Sequence, residues 1–332
     1  MTVTELRIAL PDKVAPDAFG RCDPKLPVEM LAGQALGTFW QVRFVSRGKV
    51  GPDDVRTAIG RRLDAIVAEM SQWEPGSVLS RFNRMEAGEE IVLPTDFAKV
   101  IGTALDIAGR SEGAFDPTHG RAAALLGFGA EPARADLSPT DLKDAFDQAG
   151  WQRLAFDPQT RRLCQPGGLW LDFSGIAKGF AVDAVADLLG ELGIEDALVE
   201  IGGELVARGL RPDAQPWWVD LESPPGAVLA PLRIGLHQAS VATSGDYVRG
   251  LHTIDPSTGR PLPSRIASVS VLHDNAMLAD AWATALTVLG PDRGLVLADR
   301  KGIAARFVER LPGQDPAFAE TISAALARMI ED

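Results

Sequence analysis

Strand-like and helix-like segments alternate along this chain, but they rarely follow the strand–helix–strand order that a parallel sheet requires. The predicted helices cover residues 54–72, 95–108, a stretch that begins at 139, 179–192, 277–289 and 316–329. The predicted strands cover residues 34–46, 169–173, 197–201, 204–207, 217–222, 232–237, 267–272 and 304–308, with a hairpin over 153–166. The sequence therefore predicts an α+β fold with a mostly antiparallel sheet and flanking helices.

The composition excludes two classes of partner. Of the 332 residues, 46% are hydrophobic and 23% are charged, which is ordinary for a globular protein with a substantial core. The formal net charge is −12 at pH 7, and no run of Lys and Arg forms a basic stripe. We therefore expect no binding to nucleic acids or anionic membranes. An anionic ligand would need a local site built from a metal ion, a helix N-terminus or backbone N–H groups.

The N-terminal segment and the cysteines bear on the cellular compartment. Residues 1–33 are rich in proline and predict an irregular arm, without the basic start and apolar core of a signal peptide. No apolar run reaches transmembrane length. Cys22 and Cys164 are too few and too isolated for a disulfide framework or a metal site. The chain as written reads as cytoplasmic, and as periplasmic if a leader has been removed.

A polar segment at His252–Pro261 carries the densest concentration of reactive side chains. It contains one His, several hydroxyls and a carboxylate, and it follows the segment Ala242–Tyr247 closely. His is the usual proton carrier at neutral pH, although a lone His is more often structural. The residues Asp255, Thr258 and Gly259 predict a tight Asx-type turn that would fix the local geometry.

Asp280 and Thr284 lie four residues apart in a predicted helix and therefore share one of its faces. A carboxylate and a hydroxyl are hard oxygen ligands of the kind that Mg2+ prefers. A helix cap or a solvated face is the alternative for this pair. The apolar residues around them argue against a solvated face, and a buried Asp needs a partner or a metal.

The segment Leu171–Gly179 runs from a predicted strand into the start of a helix and contains two glycines and Lys178. Glycines allow close backbone approach, and a helix start offers N–H groups to an anion. A glycine turn with a solvated Lys is the alternative. The spacing matches neither a Walker A loop nor a GxGxxG fingerprint.

Two aromatic residues have both a ligand-binding and a structural interpretation. Trp73 follows the first predicted helix at a loop entrance, where its ring would stack on a flat heterocycle or remain a surface residue. Phe115 lies in the polar turn Gly113–Thr118, where it would pack on a ring or join the core.

Taken together, eight segments in this order resemble the ApbE-type FAD:protein FMN transferases. The segments are spread along the chain from about residue 35 to 290: GTFW at 37–40, SVLSRFN at 77–83, GAFDPT at 113–118, DFSGIAKGFAVD at 172–183, VEIGGEL at 199–205, ATSGDY at 242–247, HTIDPSTGRP at 252–261 and ADAWATAL at 279–286. The resemblance implies an ApbE-like fold over 34–332, as a single domain or as two intimate subdomains with the FAD site between them.

The resemblance also implies an activity and a set of roles. Such an enzyme binds FAD as a substrate with Mg2+, transfers FMN to a Thr or Ser hydroxyl of a flavoprotein and releases AMP. The implied flavin contacts are Leu36, Trp73, Ala114, Phe115, Asp116, Asp172, Lys178 and Ile254. The implied metal ligands are the Gly175 carbonyl, Asp280 and Thr284, and the implied catalytic residues are His252, as the base, and Asp255.

This chain departs from the family pattern at two of those positions. Leu36 stands where the family often has Met, and Trp73 stands where an aromatic residue, often Tyr, is usual. Both residues keep an apolar or stacking surface, so we expect FAD binding to be retained.

The expected partner is an acceptor flavoprotein that carries the pattern Asp-x-x-Ser/Thr-Gly-Ala-Ser/Thr. The chain itself matches only the first half of this pattern, at 255–259, and continues with Arg260 and Pro261. The acceptor is therefore expected to act in trans. Two alternatives remain: a Mg2+-dependent FAD pyrophosphatase that yields FMN and AMP, and a non-catalytic FAD-binding protein.

Overall fold

Antiparallel strands form most of the sheet structure in the computed structural model, which describes residues 5–11, 13–130, 132–134, 136–247, 250, 252–313 and 317–331. The prediction of an α+β fold with mostly antiparallel sheets and flanking helices is confirmed. The chain divides into two compact units. The first comprises Met1–Leu63, Lys178–Tyr247 and Ser264–Asp332, and the second comprises Asp64–Ala177 and Val248–Pro263.

The strands are numbered in chain order. Within the described residues they are β1 (Arg7–Ala9), β2 (Val28–Ala35), β3 (Thr38–Val45), β4 (Glu90–Val92), β5 (Ala155–Asp157), β6 (Arg162–Cys164), β7 (Ala197–Ile201), β8 (Glu204–Arg208), β9 (Trp217–Asp220), β10 (Leu232–Leu236), β11 (Ala239–Gly245), β12 (Ile254–Asp255), β13 (Arg260–Pro261), β14 (Ile266–His273), β15 (Ala304–Arg310), β16 (Phe318–Ile322) and β17 (Ile330–Glu331).

The helices lie mostly where the apolar periodicity predicts them. In the described part of the chain they are α1 (Pro16–Gly20), α2 (Pro52–Met70), α3 (Val78–Asn83), α4 (Thr95–Arg110), α5 (Gly120–Leu125), α6 (Pro139–Gln148), α7 (Ala177–Glu191), α8 (Ala276–Lys301) and α9 (Ala324–Met329), with a 3-10 turn at Trp151–Arg153. None of these described helices has both the length and the apolar character of a membrane span.

The first unit is built on an eight-stranded sheet in the order β16-β15-β14-β11-β8-β7-β3-β2, in which every neighbouring pair is antiparallel. Helix α8 packs on β11, β14 and β15 and buries Trp282 and Leu286 there. Within α8, Gly290 leaves the helical conformation just before Pro291, at the point where the sequence predicts that the helix ends.

A second sheet of the first unit has the order β17-β1-β10-β9. Its strand β1 pairs in parallel with β10 and falls inside residues 1–33, for which the sequence predicts an irregular arm. Helix α1 and most of β2 lie in the same segment.

The second unit contains α3 to α6, the three-stranded sheet β4-β6-β5 and the small hairpin of β12 and β13. Helix α6 begins as the sequence predicts, because Ser138 and Asp141 form a reciprocal capping box and Pro139 occupies the first turn. The rings of Phe97 and Phe173 pack with centroids 5.0 Å apart in the core of this unit.

Two predicted elements are wrong. Leu169, Leu171 and Phe173 are buried, but residues 169–173 form no strand and make only an isolated bridge from Trp170 to His119. Instead of a helix over 316–329, the chain forms β16, which pairs with β15, and then the short helix α9. Ser323 begins α9 by accepting a hydrogen bond from the Leu326 N–H. Pro316 lies outside the described residues.

The segment over 34–46, predicted as one strand, contains the end of β2, a tight turn and β3. Leu36 and Gly37 connect β2 to β3 in two residues, with φ values of 53° and 69°. Two positive φ values at the centre of a two-residue hairpin loop define the type I′ turn, which Asn and Gly adopt most easily. A Leu side chain in this left-handed region costs about 1–2 kcal/mol.

We expect Leu36→Asn to stabilise the protein by about 0.5–1 kcal/mol, because Asn tolerates the left-handed conformation better than Leu. Urea unfolding monitored by circular dichroism measures the change. Gln34→Asn, at an exposed strand position of the same hairpin, is the control and should not stabilise. A loss of stability in Leu36→Asn would show that packing of the Leu36 side chain outweighs the backbone strain.

Candidate functional site

Helices α7 and α8 approach each other closely at Gly179 in the first unit. A Cβ atom at this position would lie 2.2 Å from the Ala276 carbonyl oxygen and 2.8 Å from the Cβ of Asp280. The Gly179 N–H donates to Asp280 Oδ2 at 2.9 Å. The glycine therefore lets the start of α7 contact α8 directly, and this contact fixes the Asp280 carboxylate. The sequence suggested that N–H groups at this helix start bind an anionic ligand. The Gly179 N–H instead binds the Asp280 carboxylate.

Asp183, one turn further along α7, holds the same two helices together. Its carboxylate accepts the N–H groups of Ala276 at 3.1 Å and Met277 at 2.9 Å, which are the first residues of α8. Burial raises the pKa of Asp183, while these two N–H groups and Arg208 oppose that rise. Asp183 therefore caps the helix that carries Asp280.

Lys178 forms an ion pair with Glu204 at the start of β8. The Glu204 side chain is 2% exposed, whereas the Lys178 side chain is 22% exposed. Burial raises the pKa of Glu204 to about 7; Lys178 opposes the rise and the charge of Asp280 adds to it. Burial also raises the pKa of Asp280, against Lys178 and the Gly179 N–H.

The charge balance of this group fits a cation. Two buried carboxyl groups, Glu204 and Asp280, lie near one ammonium group, so a bound cation would offset the cost of ionising both of them. Thr284 lies one turn along α8 from Asp280 and is half-buried. Among the described residues, no cluster of three or more His, Cys, Asp or Glu side chains forms a closed metal site. One carboxylate with a hydroxyl, completed by phosphate and water, is a donor set typical of Mg2+.

Gly175, the third predicted metal ligand, lies in the turn at residues 174–176 of the second unit. Next to it, Asp172 accepts the Ser174 N–H at 2.7 Å and donates its own N–H to the Pro117 carbonyl at 2.8 Å. Asn83 binds both backbone groups of Leu171, at 2.7 and 3.0 Å. The Asn83 side chain thus satisfies Leu171, whereas the backbone of Trp170 and Asp172 binds the segment at residues 117–120.

Asp116 organises a second part of the same unit. Its carboxylate accepts hydrogen bonds from the Thr118 N–H at 2.9 Å, the Thr118 hydroxyl at 2.6 Å and the Trp151 N–H at 3.1 Å. The Thr118 hydroxyl in turn accepts the Gly150 N–H at 2.7 Å. Asp116 therefore joins the turn after α4 to the turn after α6.

The other predicted flavin contacts differ in exposure. Trp73 is 53% exposed in the turn after α2, so its ring faces solvent and is accessible for stacking. Ala114 and Phe115 are 7% and 4% exposed, which favours the core alternative for the Phe115 ring. Ile254 is half-buried in β12, and Leu36 lies at the tip of the β2–β3 hairpin.

His119, which the motifs do not predict as a site residue, is buried near acidic residues of the second unit. Its Nε2 lies 3.7 Å from Asp116 Oδ2, and its buried Nδ1 has no hydrogen-bond partner. Burial lowers the pKa of His119, while the charges of Asp116, Asp255 and Asp172 oppose that change. A His directly after the GAFDPT segment is a signal in the sequence, but its position among three carboxylates depends on the fold.

The predicted Asx-type turn is present in the β12–β13 hairpin. Asp255 Oδ1 accepts the Ser257 N–H at 2.8 Å and the Ser257 hydroxyl at 2.7 Å, and the Asp255 carbonyl accepts the Gly259 N–H at 2.8 Å. Gly259 has a φ of 66° and packs against Phe146 of α6. The Asp255 carboxylate thus shapes the hairpin that follows His252.

The His252 ring has a defined tautomer when it is neutral. Its Nδ1 lies 2.9 Å from the Gly250 carbonyl oxygen, which can only accept a hydrogen bond. Nδ1 therefore carries the proton, and Nε2 keeps its lone pair. This is the form of the ring that can accept a proton.

Asp246, in the segment that precedes His252, has a structural role. Its carboxylate pairs with Arg310 through two contacts of 2.6 and 2.7 Å. This carboxylate is therefore engaged in the first unit by a bidentate pair.

Comparisons with known proteins agree with this arrangement of segments. The model of the ApbE family matches residues 36–307. A Vibrio cholerae protein named FAD:protein FMN transferase is 36% identical over 318 residues, which are 92% of this chain and 93% of that protein. A Haemophilus influenzae protein with the same name is 34% identical over 328 residues, which cover 93% and 94% of the two chains.

A solved structure shares the fold. The crystal structure of the flavinyl transferase ApbE from Pseudomonas stutzeri, in its apo form, matches with a TM-score of 0.85 and 35% identity, covering 92% of this chain and 98% of that one. The family model, the identity over nearly the whole length and the shared fold lead to one conclusion: this chain belongs to the ApbE family.

Proposed function

We propose that this chain is a Mg2+-dependent FAD:protein FMN transferase, which moves FMN from FAD to a Thr or Ser hydroxyl of a separate flavoprotein and releases AMP. The observation that carries the proposal is the pairing of Lys178 with the buried Glu204, near the buried Asp280 of the α7–α8 contact. It combines an ammonium group for a phosphate with an excess of buried carboxylate for a cation. The family, and the names of the similar proteins from Vibrio cholerae and Haemophilus influenzae, support the same activity.

In this reaction the acceptor oxygen bonds to the FMN phosphorus of the pyrophosphate. The bond from that phosphorus to the bridging oxygen breaks, and AMP leaves with the electron pair. The acceptor proton moves to His252 Nε2, whose lone pair is available because Nδ1 donates to the Gly250 carbonyl. Phosphoryl transfer depends mainly on alignment and charge neutralisation, and Lys178 contributes positive charge to a phosphate oxygen.

Asp280 and Thr284, with the Gly175 carbonyl, are the proposed ligands of Mg2+. When bound, Mg2+ neutralises charge on the pyrophosphate and on the departing AMP. Asp280 is prepared for this role because the Gly179 N–H holds one of its oxygens and burial increases the strength of its electrostatic interactions.

The flavin is assigned to residues of several segments. The proposed contacts are Leu36, Trp73, Ala114, Phe115, Asp116, Asp172, Lys178 and Ile254. Trp73 offers an exposed ring for stacking, and Leu36 occupies a strained turn, a feature that clusters at ligand sites. Asp116 and Asp255 contribute by holding turns in place, since their carboxylates bind neighbouring N–H and hydroxyl groups.

The acceptor is proposed to be another protein, with the pattern Asp-x-x-Ser/Thr-Gly-Ala-Ser/Thr. The partial match at 255–259 forms the tight β12–β13 turn and continues as Arg260 and Pro261. It therefore lacks the Ala-Ser/Thr ending that the pattern requires.

Incubation with FAD, Mg2+ and a short acceptor domain that bears this pattern should add one FMN to the acceptor Thr. Intact-mass spectrometry measures the gain, and chelation of Mg2+ should abolish it. The matched control is the same acceptor domain with Ala in place of that Thr. Release of free FMN and AMP without acceptor modification would favour the pyrophosphatase, and bound but uncleaved FAD would favour the binding protein.

Removal of the proposed base should separate chemistry from binding. His252→Ala should lower the transfer rate by roughly 10²–10⁴-fold while FAD affinity changes little, since the ring acts on the acceptor proton. Added imidazole should restore part of the rate. Transfer rates by mass spectrometry and FAD affinity by fluorescence titration are the measurements. A parallel loss of FAD affinity and rate, without rescue, would make His252 a binding residue.

A further inference from the structure

Glu204 is a buried acid that adds negative charge near Asp280, but the proposed reaction assigns no role to its contact with Lys178. It follows the turn of Gly202 and Gly203, whose φ values are 63° and 100°, and it begins β8. The side chain is 2% exposed, and Oε1 pairs with the Lys178 ammonium. The other oxygen, Oε2, is buried without a hydrogen-bond partner.

A side chain that only fills space would not need this arrangement, which costs free energy. A buried carboxylate loses its hydration, and an unpartnered oxygen forfeits a hydrogen bond. Asp280 nearby adds like charge, which makes ionised Glu204 still less favourable. Replacing both partners of a buried ion pair by neutral residues of similar volume often costs no stability. The contribution of Glu204 to stability therefore does not explain its presence.

The partner of Glu204 indicates its role. A Lys side chain is a flexible four-carbon stem with large rotamer entropy, and its ammonium would sample many positions without an anchor. Glu204 lies in the core of the first unit and Lys178 reaches the surface, so the carboxylate anchors the ammonium from the buried side. The start of α7 is meanwhile fixed by the contact of Gly179 with Asp280.

We propose that Glu204 is a positioning residue for the transfer reaction, which holds the Lys178 ammonium in place to bind a phosphate oxygen of FAD. This inference rests on the proposed function, because it needs FAD as the ligand of Lys178. Glu204 itself touches neither the substrate nor the reacting atoms.

A double-mutant cycle on the full-length protein tests the proposal. The variants are Glu204→Gln, Lys178→Met and the double variant, and the readout is FAD affinity by flavin fluorescence in the presence of Mg2+. We expect Glu204→Gln to weaken FAD binding about tenfold in the wild-type background and less than twofold in the Lys178→Met background. The urea midpoint of the double variant should not fall, because that variant replaces the whole ion pair by neutral side chains. Glu200→Gln, on β7 of the same hairpin, is the control and should bind FAD as the wild type does.

Other outcomes would overturn the inference. Wild-type affinity in Glu204→Gln, or an equal loss in both backgrounds, would show that Glu204 does not act through Lys178. If Glu204→Gln does not fold, Glu204→Asp keeps the charge but withdraws it by one methylene. That variant should raise KM for FAD with little change in kcat, and an unchanged KM would contradict the proposal.

The cycle also separates this inference from the proposed function. Wild-type protein that binds FAD but transfers no FMN would refute the transferase, while the coupling between Glu204 and Lys178 would still be measured. Wild-type protein that binds no FAD would overturn both.

Discussion

The contact of α7 with α8 at Gly179 is the constraint on which the candidate site depends. Only a residue without a Cβ allows the helices to approach this closely, since a Cβ would lie 2.2 Å from the Ala276 carbonyl oxygen. The approach lets Asp280 accept the Gly179 N–H and lets Asp183 cap α8. Lys178 immediately precedes Gly179 in the sequence, so this contact also holds the backbone of Lys178 near Asp280. One glycine thus fixes a carboxylate and an ammonium group relative to each other.

The second unit uses polar side chains for a similar purpose. Asn83 satisfies both backbone groups of Leu171, and Asp116 binds two separate turns. The buried Gln165 side chain donates to the carbonyls of Phe82 and Leu169 at 2.9 and 3.1 Å. Loops that carry predicted flavin contacts are therefore held by side-chain hydrogen bonds, which can fix a non-repetitive backbone where a sheet ladder cannot.

The fold class and several helices were predictable because their signals are local. The apolar residues of α2 recur with helical spacing and are all buried: Val55, Ile59, Leu63, Ile66 and Met70. The Ser138 capping box is likewise readable from four consecutive residues. Residues 169–173 bury every second side chain, as a strand does, but they bind the distant Asn83 side chain and make only one isolated bridge. Residues 318–322 pair with β15, and such tertiary pairing overrides a local helical pattern.

Motifs in the sequence nominate residues for the candidate site but do not give the interactions among them. Asp280 and Thr284 share a helix face because of their spacing alone. The pairing of Lys178 with Glu204, and the burial of His119 among three carboxylates, join residues far apart in the chain. The Gly179 N–H, expected from the sequence to bind an anionic ligand, binds the Asp280 carboxylate.

The central claim is that Asp280 and Lys178 together bind the pyrophosphate of FAD with Mg2+. The most direct measurement is the FAD dissociation constant with and without Mg2+, for the wild type and for Asp280→Asn. The account predicts that Mg2+ tightens FAD binding by about 5- to 150-fold in the wild type, because the Mg2+ charge neutralises the pyrophosphate of FAD. Asp280→Asn should lose this coupling. Equal FAD affinity with and without Mg2+ in the wild type, or the same coupling in Asp280→Asn, would contradict it.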